Sequence, residues 1–272
     1  MQTKPQSRVI SFSSGKGGVG KTTVVANVGA LYAEKGFKTL LVDGDWSLGK
    51  LGITLGVKPR WNIESVLKGE VDLWDAIHPV SENLSILASP SGIVGFEELD
   101  VTQRNQLFFE FERLGSRYER ILLDHSSGLQ WNVLQFAAAA HQHVVVTTSE
   151  PTSYTDAYAI MKVLSKQFAV REFQLLVTCS QNRIETEQII SRFSTVVHQN
   201  LNIRLNIVDI LPWEPALSEC IRKQQLFVKR YPERNMTDKF EQVRESLERR
   251  EIAPSHGLRF FYHQETTPLS TR

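Results

Sequence analysis

The run SSGKGGVGKTT, residues 13–23, concentrates more chemistry than any other stretch of the chain. Gly15, Gly20, Lys21 and Thr22 fit the spacing G-x-x-x-x-G-K-[ST], the mark of a loop that wraps phosphate. Glycines let successive backbone N–H groups turn inward as an anion nest, and a helix starting behind them adds partial positive charge. The residues expected to contact the nucleotide here are Gly15, Gly17, Gly18, Val19, Gly20, Lys21, Thr22 and Thr23. Lys21 reaches the terminal phosphates in such a loop, and Thr22 gives its hydroxyl to Mg2+. Lys16 is a second lysine that the generic spacing does not require. Phosphoryl transfer develops charge around the moving group, and a loop lysine with Mg2+ is often incomplete without a further cation. From the second position of the loop, Lys16 need not fold back on its own phosphates; its side chain is free to cross a subunit interface.

Mg2+ held on phosphates draws on carboxylates at the carboxyl ends of neighbouring strands. KTLLVDGD ends in Asp43 and Asp45, and RILLD ends in Asp124, with Gly128 four residues on. Asp124 is an expected metal-linked carboxylate with Asp43 a second candidate, and one of Asp43 and Asp45 can orient the attacking water; the bland alternative for the Asp43–Asp45 pair is to cap a turn. His125 follows Asp124 and reads as a tolerated loop residue rather than a proton relay. His141 and His143 have i, i+2 spacing but no third ligand, so no metal is assigned to them. Trp46 and Trp131 follow the two aspartate stretches closely, which suits either an interface or packing against a sheet.

The elements that must position these groups alternate. Short β-branched runs at RVISFS, KTLLVD, LSILAS, RILLD, HVVVTT, FQLLVT and IVDIL read as strands, several of them apolar on consecutive residues as doubly covered strands are. Helical patterns fit residues 21–35, 62–77, 101–114, 131–140, 153–167, 186–199 and 214–224. This alternation predicts an α/β fold in three layers, a mostly parallel twisted sheet of seven or eight strands with helices on both faces. Residues 1–250 read as one domain and 251–272 as a mostly polar tail. Before that tail, Phe240, Val243 and Leu247 form a narrow apolar stripe on a charged helix, expected to pack on the flank of the domain.

Composition narrows the function classes. With 31 basic and 30 acidic side chains the formal net charge is +1, so no global field draws the chain to nucleic acid, and the only basic cluster is KQQLFVKRYPER. Cys179 and Cys220 lack paired spacing and read as buried small residues rather than a disulfide or metal pair. MQTKPQSR has no apolar signal segment, and no window approaches a membrane span, which leads to the expectation of a cytoplasmic protein.

KGGVGKTT resembles the deviant Walker A motif of the MinD/ParA group of P-loop ATPases, and the likeness runs from about Arg8 to Val243. The resemblance implies ATP and Mg2+ as cofactors and an ATP-dependent homodimer in which Lys16 enters the partner's site. VDGD is similar to the switch I of that group, which implies a water-positioning role for Asp45. LLDHSSG is similar to its switch II, which implies a magnesium-linked Asp124. TTSEPTSYTDAYAIMKVL further resembles a pattern of the FlhG family, also called FleN or YlxH, the ATPases that set flagellar number and position. That likeness implies a slow, partner- or membrane-stimulated ATPase with a flagellar or regulatory protein partner. GLRFFYHQ resembles the start of the family's membrane-targeting tail, implying weak membrane contact through Leu258, Phe260, Phe261 and Tyr262. The departures are Trp46, Ser47 and Lys50 in switch I, His125, Ser126 and Ser127 in switch II, and Thr178 where the family commonly has an asparagine near the adenine. Base contact then falls to the loop after the last strand, Pro212 to Pro215, with Pro212 and Trp213 the named contacts. Two other readings stay open: an ATP-binding regulatory module with little turnover, and a ParA-type DNA-partitioning or MinD-type division-site ATPase.

Overall fold

The computed structural model describes residues 7–45, 49–89 and 101–250. Trp46 and the apolar patch of the tail lie outside these residues. The chain starts with β1 (Arg8–Ser14), α1 (Lys21–Glu34) and β2 (Thr39–Gly44). Three short helices follow, α2 (Leu51–Leu55), α3 (Ile63–Leu67) and α4 (Leu73–Ala76), then β3 (Ile77–Ser81) and β4 (Leu84–Leu87). Next come α5 (Val101–Leu114), β5 (Arg120–Ser127), α6 (Trp131–Ala138), β6 (Gln142–Thr148), α7 (Pro151–Gln167) and β7 (Glu172–Ser180). The described chain closes with α8 (Arg183–Leu201), β8 (Arg204–Pro212), α9 (Pro215–Arg222), α10 (Phe227–Arg230) and α11 (Asn235–Glu248).

The strands form one eight-stranded sheet in the order β3-β4-β2-β5-β1-β6-β7-β8. Every neighbouring pair is parallel except β3 with β4. The central strands show near-continuous burial, as helices on both faces require. One apolar layer gathers α1, α10 and α11 on one face; the other face is covered by α3 to α6 around Phe111 and Leu123 and by α7 and α8 around Ile160 and Phe173.

Helix α1 is buried on almost every side, and Gly29 is the reason it can lie so close to β2: a Cβ there would stand 2.4 Å from Leu41 Cδ2. Asn27 ties it to α10, its Oδ1 accepting the Val228 N–H at 3.1 Å. The expected stripe Phe240, Val243 and Leu247 on α11 is fully buried against α1 and β8. Each such side chain contributes about 1.5–3 kcal/mol on burial, so this helix is an integral part of the core.

Three sequence expectations are corrected. Residues 62–77 do not form one helix: Gly69 adopts φ 71°, ends α3, and Asp72 caps a separate α4. IHPVS, in which the sequence assigned only Ile77 and that to a helix end, is the antiparallel edge strand β3, where Pro79 is tolerated at an edge. Strand β5 runs on past RILLD through His125, Ser126 and Ser127, because it stays paired with β2 as far as His125 and with β1, across a register shift, as far as Ser127.

Candidate functional site

The parallel strands bring their carboxyl ends to one edge, where open α/β sheets bind ligands. The loop from Gly15 to Gly20 joins β1 to α1 at that edge, and Gly18 and Gly20 hold φ of 81° and 82°. Such left-handed values favour glycine, and they turn the backbone amides of the loop inward. Gly15 answers a different demand: a Cβ would stand 2.4 Å from Asp156 Cβ and 2.8 Å from the Asp156 backbone carbonyl. The loop is thus seated against α7.

Lys21 is buried and donates to Asp124 Oδ1 at 2.6 Å and to the His125 carbonyl oxygen. Asp43 lies beside this pair, since Asp43 and Asp124 are register partners on adjacent strands. Its two oxygens are already engaged by backbone: Oδ1 accepts Asp45 N–H at 3.1 Å and Oδ2 accepts Leu51 N–H at 2.9 Å. Burial, and then the neighbouring Asp124 charge, push the Asp43 carboxyl up to about 7. Asp43 therefore pins the segment that carries Asp45, whose own carboxylate pairs with Lys50 at 3.7 Å. Asp45 is further placed by its carbonyl, which accepts from Ser89 Oγ at 2.8 Å.

Lys16 is brought to none of these carboxylates. Its exposed ammonium pairs with Glu150 Oε2 at 2.5 Å, at the residue that precedes α7. Thr22 and Thr23 begin α1 at half-buried positions. His125 is corrected from a loop residue to a fully buried strand residue, held well below the usual histidine range at about 3 by desolvation, then by Lys21. Cys220 is buried as expected, but Cys179 is only partly so.

A cavity of about 170 Å³ opens beside Gly18, Gly20 and Thr23, and its walls include Pro212 and Trp213, the residues expected to contact the base. The same wall includes Thr178 and Glu214, both in stretches the sequence places near the base, and also Cys179, Leu217, Ser218, Ile221, Met236 and Phe240, which the sequence does not assign. The amphipathic spacing of Leu217 and Ile221 was the available signal; Met236 and Phe240 enter only through the packing of α11. A loop of inward amides, a buried lysine already holding an anion, a hydroxyl at Thr22 and an adjoining cavity fit a Mg2+-nucleotide.

A family model described as an AAA domain matches residues 7–175, more than half of the chain. The chain belongs to that family. This AAA-domain protein is 26% identical over 241 residues to the antiactivator FleN of Pseudomonas aeruginosa, covering 89% of the chain and 86% of the relative. It is 27% identical over 266 residues to the flagellum site-determining protein YlxH of Helicobacter pylori, covering 95% and 90%. The structure of the septum site-determining protein MinD of Pyrococcus horikoshii OT3, complexed with Mg-ADP, superposes with a TM-score of 0.71 at 25% identity, covering 89% of this chain and 96% of that one. These likenesses put the AAA-domain protein in the MinD/ParA group of P-loop ATPases, near FlhG and FleN.

Proposed function

We propose that the chain binds ATP with Mg2+, hydrolyses it slowly, dimerises in the ATP-bound state and regulates the number or placement of flagella. The observation that carries the nucleotide reading is the meeting of Lys21 with Asp124 at the foot of an intact glycine loop. The flagellar reading is supported by the FleN and YlxH relatives, which match almost the whole described chain.

In this reading the loop amides and Lys21 hold the phosphates, and Thr22 and Asp124 hold Mg2+, with Asp43 behind them as a second carboxylate. Bound Mg2+ supplies charge neutralisation at the phosphates. Lys21 must exchange Asp124 and the His125 carbonyl for phosphate oxygens, which frees Asp124. Asp45 orients water once Lys50 is displaced, and Lys16 leaves Glu150 to neutralise charge in the partner's site. Pro212 and Trp213 contact the base. The chain acts in the cytoplasm, with weak membrane contact through the tail; no described helix is long and apolar enough to cross a membrane.

DNA partitioning is the less favoured reading, because three of the four basic side chains in the cluster are paired with acids: Lys223 with Glu219 at 2.7 Å, Lys229 with Glu34 at 2.5 Å and Arg234 with Glu214 at 3.4 Å. Charges so paired contribute little to a phosphate-backbone footprint. A single-turnover assay with labelled ATP and Mg2+ tests the enzyme reading: conversion of bound ATP to ADP within minutes is expected, whereas ATP left intact for hours identifies a binding module.

A further inference from the structure

The cavity beside the phosphate loop has apolar walls from Leu217, Ile221, Met236 and Phe240, which suit the faces of a nucleobase but cannot tell one base from another. Its polar groups must do that. Thr178 is poorly placed for the task, because its hydroxyl donates to Val19 O at 2.6 Å and lies 3.1 Å from Thr147 O, so its one proton is spent inside the fold. Glu214 differs. It lines the cavity as the cap residue of α9, and its contacts converge on one oxygen: Oε1 accepts the Ala216 N–H at 3.0 Å and Arg234 at 3.4 Å. The cap and the arginine fix the orientation of the carboxylate while Oε2 takes neither bond. A fixed carboxylate oxygen is an acceptor only, and a charge-assisted one, so the complementary feature on a base is an amino group.

We propose that Glu214 reads the exocyclic 6-amino group of adenine through Oε2, taking the place in base selection that Thr178 cannot fill. The proposal rests on the nucleotide reading above. ATP and purine riboside triphosphate, which lacks only the 6-amino group, are titrated calorimetrically into the wild-type chain and into Glu214→Ser, since serine still caps a helix but has no carboxylate. In the wild type, loss of the amino group weakens binding about tenfold, the scale of one hydrogen bond to a charged group. In Glu214→Ser, ATP binding falls by the same factor and the two ligands bind alike. Equal binding of the two ligands by the wild type overturns the proposal, as does a preference for ATP that persists in the variant. Should the serine variant fail to fold, Glu214→Asp, which keeps both cap and charge but withdraws the oxygen, is expected to narrow the wild-type preference; an unchanged preference overturns the proposal. Binding of neither ligand to the wild type overturns the nucleotide reading itself, a result distinct from binding both equally.

Discussion

Replacing Lys21 by methionine removes the ammonium that the free protein pairs with the buried Asp124. Lys21 and Asp124 are 8% and 1% exposed at the side chain and 2.6 Å apart, and Asp43 adjoins them in register. Deleting one partner of a buried ion pair costs about 3–5 kcal/mol, because the surviving charge is left without water or counter-ion. For a chain of this size that corresponds to a fall in Tm of roughly 6–20 °C. The cost depends on pH through Asp43. Its folded value of about 7 lies above the ordinary 3.8, so the native state binds more protons than the unfolded state between these values. The contribution of Asp43 to stability therefore falls as pH rises through that window, and above about 7 Asp43 carries its charge beside Asp124. Lys21→Met should accordingly lose more at pH 8 than at pH 5.5. Urea unfolding at both pH values measures this, and adding Asp124→Asn to Lys21→Met should recover part of the loss at pH 8. A variant as stable as wild type, or a double variant whose losses simply add, would refute the reasoning.

Three other outcomes follow from the same geometry. Gly15→Ala drives a methyl group into the Asp156 backbone, so the loop must shift and Mg2+-ATP affinity should fall at least tenfold while the melting curve stays cooperative. His125, kept neutral down to about 3 against an ordinary 6.5, contributes stability that is lost as pH falls below 6.5, because the unfolded state takes up a proton the native state refuses. Relative to His125→Thr, the wild type should lose up to about 1.4 kcal/mol more per pH unit once below 6.5, read from denaturation midpoints between pH 7 and 5. Phe260→Glu should abolish ATP-dependent flotation with anionic liposomes, and equal flotation of variant and wild type counts against membrane contact by the tail.

The phosphate loop was legible because its chemistry is local: glycines, lysine and threonine act through backbone turns that neighbouring residues set. The alternation of strands and helices was legible for the same reason, and it led to a parallel sheet of the right size. What the sequence hid depends on distant partners. The polar run from Asp124 to Ser127 looks like a loop, yet β1 holds it as strand to Ser127 and β2 pairs it as far as His125, which is buried. Strand β3 was hidden by Pro79, whose exclusion from strands is relaxed at a sheet edge. The helix expected across 62–77 failed at Gly69, which the apolar periodicity outweighed on paper but not in the fold. Glu150 and Glu214 lie in stretches the sequence singles out, but their individual roles were hidden because these come from what α7 and α9 place them beside.

The central claim is that Lys21 binds phosphate within one subunit while Lys16 serves the other. In the free chain Lys16 is 45% exposed at the side chain and is held by a surface pair with Glu150. Such a pair is worth under about 1 kcal/mol, so Lys16→Ala should fold normally and bind Mg2+-ATP within about threefold of wild type. Light scattering with and without Mg2+-ATP, run on wild type and Lys16→Ala at the same concentration, isolates the second role. The account predicts that ATP doubles the mass of the wild type and leaves Lys16→Ala a monomer; a variant that dimerises normally would contradict it.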